Sequence, residues 1–554
     1  MKDKVTNLLA KELKLKKEEI EELLEIPPDQ SLGDYAFPCF TLSKKLKKNP
    51  KEIALELSRK LNKKTPKTID KIQNIGPYVN FFVDKKELTK EMLSKALESS
   101  YGQGKEKEKI LVEHTSVNPN ASPHVGRARN SIIGDAIVRI LKFRGNKVKI
   151  HYYVNDVSKQ IAMLALNFNK KDKFDDMLSN YVSISKKVEK NPKLEKEVFN
   201  LLEKFESKDK ETQALFKKIV DTCIEGQKKI FNNFDIHFDS FDYESRYIGS
   251  PSKNILKELD ATGKLFKDKD NRTVLNQGDT DLIRKMKAPV FVLTRSNGTG
   301  LYGLRDIAYT IDKAKSGRNI IVLGEDQKLY FEQISEAVKL LGHKTPEVLH
   351  YSFVLLQTEK GTTKMATRRG EIVLLEQFFE EAVSKAKKEI SKRKTKGDPK
   401  KVAIAAIKYA MLRNDINKNI IFSWDKSLAF EGDSGPYLQY SYARASSIVR
   451  KAKLTSKAKT KSKYTIPNLS NTEIKLIKKI SEFPTTVQHA SEKLNPSLIA
   501  NYSFQLAQSF NEFYHTNKVI GEKEESFRIK LVEAFRNTLK NSLHLIGIEV
   551  MEEM

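Results

Sequence analysis

The residues best suited to chemistry lie in one short stretch. Residues 109 to 135 read Lys-Ile-Leu-Val-Glu-His-Thr-Ser-Val-Asn-Pro-Asn-Ala-Ser-Pro-His-Val-Gly-Arg-Ala-Arg-Asn-Ser-Ile-Ile-Gly-Asp. The apolar run Ile110 to Val112 predicts a short buried strand. The breakers Asn118-Pro119-Asn120 and Ser122-Pro123 predict a turn, and an amphipathic helix is expected to begin near Gly126. A helix start carries unpaired N–H groups and roughly half a positive charge, so it can hold a phosphate. His124 at its mouth can donate to a phosphate oxygen, and Gly126 has no side chain to keep a nucleotide away. Arg127 and Arg129 add cations on the same turn. Taken alone, His-x-Gly before a helix reads equally well as a capped, packed turn.

Two further clusters carry charge at places where a ligand could lie. The segment Tyr302-Gly-Leu-Arg-Asp306-Ile-Ala-Tyr sets a tyrosine and a carboxylate four residues apart. The apolar run Asn319 to Leu323 predicts a strand, with Gly324-Glu325-Asp326-Gln327 at its carboxyl end, where open α/β sheets hold ligands. The basic run Lys364-Met365-Ala366-Thr367-Arg368-Arg369-Gly370 lies between Gly361 and Gly370, and in isolation it reads as a solvated charge run.

Residues 118 to 135 resemble the first signature of class I aminoacyl-tRNA synthetases, most closely that of the arginyl family. The segment ending Arg305-Asp306-Ile307-Ala308 and the stretch Gly435-Pro-Tyr-Leu-Gln-Tyr-Ser-Tyr-Ala-Arg444 resemble the same family, as does the chain's end from Leu545. The run from Lys364 to Gly370 is similar to the second class I signature, a mobile loop that closes on the phosphates of ATP. The resemblance implies ATP-dependent attachment of L-arginine to tRNA(Arg) through arginyl-adenylate, with Mg²⁺ accompanying ATP. It implies ATP contacts from His124, Val125, Gly126, Arg127, Lys364 and Met365, with Arg368 joining the catalytic set. Arginine contacts are implied for Ser116, Asn118, Arg127, Tyr302, Asp306 and Gln327. A buried guanidinium must be met by a carboxylate, which is the role expected of Asp306. By position alone, Asp306 also fits as the N-cap of a helix over residues 307–315. The chain departs from the family pattern at Arg127, where a second His is usual, and at Thr367, where Lys is usual. Two other readings stay open: a tRNA-binding paralogue without the chemistry, and a class I enzyme for another amino acid.

The elements that must position these residues are α/β in kind. With 554 residues the chain needs several cores. Val148 to Val154 predicts a second strand and Asn155-Asp156 the cap of the following helix; this alternation marks a parallel, Rossmann-like sheet, and Val290 to Leu293 predicts a further strand. The expected layout is a small α+β N-terminal domain over 1–85, a linker over 86–108, and a catalytic domain over 109–375 with a helical insertion at about 166–230. A helical connecting region over 376–434 and an all-α domain over 435–554 follow. The resemblance assigns the first unit to the tRNA elbow and the last to the anticodon. Amphipathic helices are expected over Leu498 to Tyr514 and Arg528 to Ile546, with Phe504, Phe510, Phe513 and Tyr514 in their core.

Composition narrows the partners. The formal charge of +28 invites a polyanion, although Lys outnumbers Arg 81 to 19 and a Lys-rich surface also serves solubility. Only Cys39 and Cys223 occur, with no His or Cys at ligand spacing, so neither a disulfide framework nor a structural metal site is expected. No apolar stretch of membrane-spanning length is present, and a cytoplasmic monomer is expected. Arg127 supplies the sharpest test of this reading, being permanently charged and fork-shaped. Arg127→Ala is expected to slow adenylate formation on the order of 10- to 1,000-fold, and Arg127→His to keep part of the rate. An unchanged rate in pyrophosphate exchange would mean that the side chain only decorates the helix.

Overall fold

The computed structural model describes residues 2–27, 29–358, 361–364, 373–455 and 464–554. Two compact units divide the chain. One draws together Met1–Tyr101, Arg444–Pro484 and Gln505–Leu539; the other comprises Gly102–Ala443, Thr485–Phe504 and Lys540–Met554.

The second unit is built on a five-stranded sheet in which every pairing is parallel. Its spatial order is Glu347–Tyr351, Arg318–Gly324, Lys109–Glu113, Lys147–Val154, Ser240–Tyr243. The chain therefore winds outward from Lys109–Glu113 in one direction, then returns to lay Arg318–Gly324 on its other side. That reversal opens a crevice at the carboxyl ends of these two central strands, between Glu113 and Gly324. The first-motif helix, Val125–Phe143, crosses behind the sheet and buries Ile132, Ile133, Ile137, Ile140 and Leu141. Each such side chain contributes about 1.5–3 kcal/mol on leaving water.

Three helices, Phe174–Lys190, Pro192–Glu206 and Lys210–Asn232, form the insertion. A small antiparallel sheet of Leu265–Lys267, Thr273–Asn276 and Val290–Val292 then packs with the helices Tyr302–Ala314 and Lys328–Leu340. Leu275, Phe291, Leu293, Leu304, Ile307 and Ile334 lie in their shared core. A third sheet pairs Val354–Thr358 with Gly361–Lys364 and, in parallel, with Ile420–Phe422. No helix among the described residues is long and apolar enough to cross a membrane.

Several local expectations change. The helix after the second strand is Lys159–Asn167, capped by the Ser158 side chain, which accepts from the Ile161 N–H at 3.4 Å; Asn155 and Asp156 do not cap it. Asp156 instead accepts from the Ser245 N–H at 2.9 Å, fastening the segment beyond the edge strand. The C-terminal helices run Ser497–Thr516 and Glu525–Leu545. Phe510 and Phe513 are fully buried there, Phe504 is half-buried, and Tyr514 is exposed, contrary to its expected core place. Tyr514 lies four residues after Phe510 and stacks on its ring, with centroids 6.3 Å apart, at the exposed edge of that core.

In the first unit, strands Tyr35–Pro38 and Ile69–Ile75 flank Tyr78–Val83 in an antiparallel sheet. Val5, Leu9, Ile20, Phe37, Ile53, Leu57, Leu61 and Phe81 fill its core. Asp34 joins three parts of this unit. Its carboxylate accepts from the Val83 N–H at 2.7 Å and from Lys85 at 2.5 Å, and Lys478 of the helix Asn471–Ser481 closes on its other oxygen. Burial raises the Asp34 pKa, but its hydrogen bonds to Lys478 and Lys85 outweigh it and leave the group below the usual carboxylate range. A depressed folded-state pKa contributes stability that is present above the unfolded value and lost as pH falls through the folded one. Asp34→Ala is therefore expected to destabilise this unit by about 3 kcal/mol at neutral pH in urea unfolding. The difference should shrink below the ordinary carboxylate range; a difference that persists undiminished in acid would refute the ionic origin.

Candidate active site

One end of the crevice is built by the turn before the helix Val125–Phe143. His124 is the N-cap residue of Val125–Phe143 in extended conformation, and it makes no side-chain cap. Its segment is held by a two-way bridge: the Val125 N–H donates to the Val373 carbonyl at 3.0 Å, and the Leu375 N–H to Pro123 at 2.8 Å. The Val125 donor is thus already engaged. Burial, then the Arg127 charge, lower the His124 pKa to about 4, with Asp326 opposing. The ring is neutral at neutral pH, and its buried Nδ1 has no hydrogen-bond partner among the described residues.

Gly126 also packs against the His124 ring. A Cβ there would lie 3.0 Å from both Cε1 and Nδ1 of His124, so the missing side chain makes room for the imidazole. The Arg127 charge acts on the buried Tyr351 hydroxyl at the carboxyl edge of the sheet, where Asp326 opposes it. Arg129 is not a cation of this site. It is fully buried and donates to the carbonyls of Ser352 (2.5 Å), Lys418 (2.8 Å) and Asp415 (3.1 Å). Of Lys364 only the backbone place, paired with Leu355, is described, and Met365, Thr367 and Arg368 lie outside the described residues.

The second end of the crevice is organised by the helix Tyr302–Ala314. Its N-cap residue is Leu301, so Asp306 lies a full turn inside and is not its N-cap. The Asp306 carboxylate accepts from the Tyr153 hydroxyl at 2.8 Å and from the Tyr330 hydroxyl. Burial raises the pKa of Asp306, and burial first, then the neighbouring Asp306 charge, raises both phenols well above their ordinary value. Both hydroxyls therefore stay protonated and donate.

Tyr302 is exposed at the mouth, with its ring 5.3 Å from that of Tyr330. The Ser116 hydroxyl accepts from the Tyr153 N–H at 3.0 Å and lies 3.4 Å from Glu113 Oε1, with Ser116 itself at φ 39°. Asn118 is exposed on the rim and donates to Gln160 at 2.9 Å. Gln327 ends the 3₁₀ turn Glu325–Gln327 beyond the central strand, and its amide donates to Asp326 at 3.4 Å.

Sequence reasoning passed over the residues behind these. Tyr152 and Gln227 hold the loop below the first motif: the Gln227 amide donates to the carbonyls of Asn118 (3.0 Å) and Ala121 (2.9 Å), and the Tyr152 hydroxyl accepts from the Val117 N–H at 3.0 Å. Glu113 pairs with buried Lys313, Glu244 with Arg305 at 2.6 Å, and Asp242 with the His151 ring at 2.5 Å. Each of those carboxylates has a basic partner. Among the described residues no cation pairs with Asp306. A periodicity could have revealed part of this network: Tyr302, Asp306, Tyr309 and Lys313 recur on one face of a single helix.

Comparison with known proteins agrees with this architecture over its full length. Residues 88–424 match the catalytic domain of tRNA synthetases class I (R), 438–554 the DALR anticodon binding domain, and 1–83 the arginyl tRNA synthetase N terminal domain. Arginine–tRNA ligase of Methanocaldococcus jannaschii is 35% identical, covering 99% of this chain and 97% of that one. The Clostridium botulinum (strain Loch Maree) enzyme is 34% identical, covering 99% of each. The structure of Thermus thermophilus arginyl-tRNA synthetase superposes with a TM-score of 0.82 at 26% identity, covering 100% of this chain and 99% of that one. A sheet that reverses at Glu113, a helix start at His124 and three matched domains in this order place the chain in the class I arginyl-tRNA synthetase family.

Proposed function

We propose that Asp306 receives the guanidinium of arginine in the arginine–tRNA ligase reaction, and the single observation carrying this is a carboxylate that accepts from two tyrosine hydroxyls and pairs with no cation among the described residues, whereas Glu113, Glu244 and Asp242 around it each have a basic partner. The missing positive charge is the substrate's. A guanidinium fits two carboxylate oxygens side by side, and lysine's point charge does not. Tyr302 and Gln327 flank that position at the mouth, and Ser116 and Asn118 lie toward the amino-acid backbone end.

Chemistry then needs no protein nucleophile. The arginine carboxylate attacks the α-phosphorus of ATP, the bond to the bridging oxygen breaks, and diphosphate leaves; a terminal tRNA hydroxyl next attacks the adenylate carbonyl and releases AMP. The chain's task is to align the reactants and to meet the charge that grows on the phosphates. His124, with its pKa near 4, acts as a neutral donor, so positive charge comes from Arg127 and from the loop bearing Lys364 and Arg368. Val125 and Gly126 shape the turn around the nucleotide. Among the described residues no cluster of three or more His, Cys, Asp and Glu side chains could hold a metal, so Mg²⁺ would enter on the ATP phosphates.

tRNA(Arg) binds through the helical domain at 438–554, and in this reading the N-terminal residues 1–83 reach its elbow. In this reading the enzyme works as a monomer in the cytoplasm. Asp306→Asn is the direct test, because it removes the charge and keeps the shape. Apparent arginine affinity in charging kinetics should weaken by about 2–5 kcal/mol, with ATP dependence and thermal unfolding unchanged. Near-normal arginine kinetics would remove Asp306 from the substrate.

A further inference from the structure

The helix Tyr302–Ala314 carries a polar stripe that continues inward past the pocket. Tyr302 and Asp306 occupy its outer half, Tyr309 and Lys313 its inner half. Tyr309 is buried, donates to Asp242 at 2.9 Å and stacks on Tyr153, with centroids 4.4 Å apart and planes 14° from parallel. The Lys313 ammonium lies 4.0 Å from the centroid of the Tyr309 ring and pairs with Glu113. Both members of that ion pair are buried.

Two chains of contact lead from Lys313 to the pocket. Through Glu113 it reaches the Ser116 hydroxyl, 3.4 Å away, which also accepts from the backbone of Tyr153. Through Tyr309 it reaches the ring of Tyr153, whose hydroxyl donates to Asp306. Both chains converge on Tyr153. We propose that Lys313 is a positioning residue for arginine, fixing Ser116 from one side and Asp306 from the other without touching the substrate.

Stability alone does not account for this pair. A buried ion pair roughly breaks even against apolar residues of the same volume, so a core that needed only to be filled would be served as well by hydrophobic side chains. Placement gives the pair a use, because it orders the turn after the first strand, where Thr115 and Ser116 both hold positive φ (73° and 39°). The cation also satisfies Glu113, so that Glu113 does not compete with Asp306 for a positive charge.

The inference rests on Asp306 and Ser116 meeting the amino acid, and the test separates the two ideas. In the full-length enzyme, Lys313→Met should raise the KM for arginine about 10- to 100-fold, because misplacing a positioned group by an ångström costs that order. The KM for ATP should stay within about threefold, and Lys313→Arg should recover most of the arginine loss. An arginine KM within about threefold of the parent in a folded Lys313→Met would overturn the proposal, as would arginine and ATP KM values that rise together with a falling thermal midpoint. Should Lys313→Met not fold, Lys313→Gln, which can still hydrogen-bond Glu113, takes its place under the same criteria. A normal Asp306→Asn defeats the pocket reading itself. An impaired Asp306→Asn beside a normal Lys313→Met defeats only the role of Lys313.

Discussion

A guanidinium buried without a carboxylate partner constrains this active site more than any group in the crevice. Arg129 is taken wholly out of water, which is costly for a cation, and what compensates it is a set of three carbonyls from Ser352, Asp415 and Lys418. Those carbonyls immediately precede or closely flank the parallel strands Val354–Thr358 and Ile420–Phe422. Strand Gly361–Lys364 pairs with the first of these, so the base of the second signature is tied to the helix that bears the first. The next residue repeats the device across the sheet. Asn130 accepts from the Thr115 N–H at 2.8 Å and donates to the Val322 carbonyl at 2.9 Å, joining the two strands between which the crevice opens. The dipeptide Arg129-Asn130 thus sets the width of the nucleotide end by satisfying backbone groups that would otherwise be buried unpaired.

What was legible in the residues was local. Ile110 to Val112, the proline-rich turn and the helix start are patterns of a few residues, and the family likeness rests on them. Arg129 was misjudged because two positions along a helix is more than half a turn: if Arg127 faces the ligand, Arg129 faces the core. Asp306 carries the residue type of a cap, but its helix begins a turn earlier at Tyr302, where Gly303 allows the ring of Phe291 to approach; a Cβ there would lie 2.5 Å from that ring. The pairing of Glu113 with Lys313 joins two elements far apart in the chain. No local pattern announces such a contact, which exists only once the parallel sheet has brought the ends together.

The same logic binds the end of the chain to the first helix within the catalytic unit. Lys408, fully buried on Pro399–Leu412, reaches Asp135 at 3.3 Å, and Arg139 binds Asp135 at 2.8 Å and Asp235 at 2.9 Å. Lys401 pairs with Glu549, and the Gln439 amide donates to the Glu549 carbonyl at 2.8 Å. Glu549 of the closing segment therefore bonds to the helix Pro399–Leu412, which in turn reaches Asp135 on the helix that begins at His124.

The other unit has a consequence for how this protein is made. Its opening segment ends at Tyr101, whose hydroxyl donates to Ile480 at 2.9 Å, and the carbonyls of Ala96 and Glu98 are met by Asn537. These partners are synthesised several hundred residues later, which at ribosomal speed is a wait on the order of tens of seconds. Throughout that interval the small sheet and its helices must stand on their own core of Phe37, Leu57 and Phe81, with the face that meets Ile480 and Asn537 uncovered. Until Ile480 and Asn537 are made, the Tyr101 hydroxyl and the Ala96 and Glu98 carbonyls meet water instead.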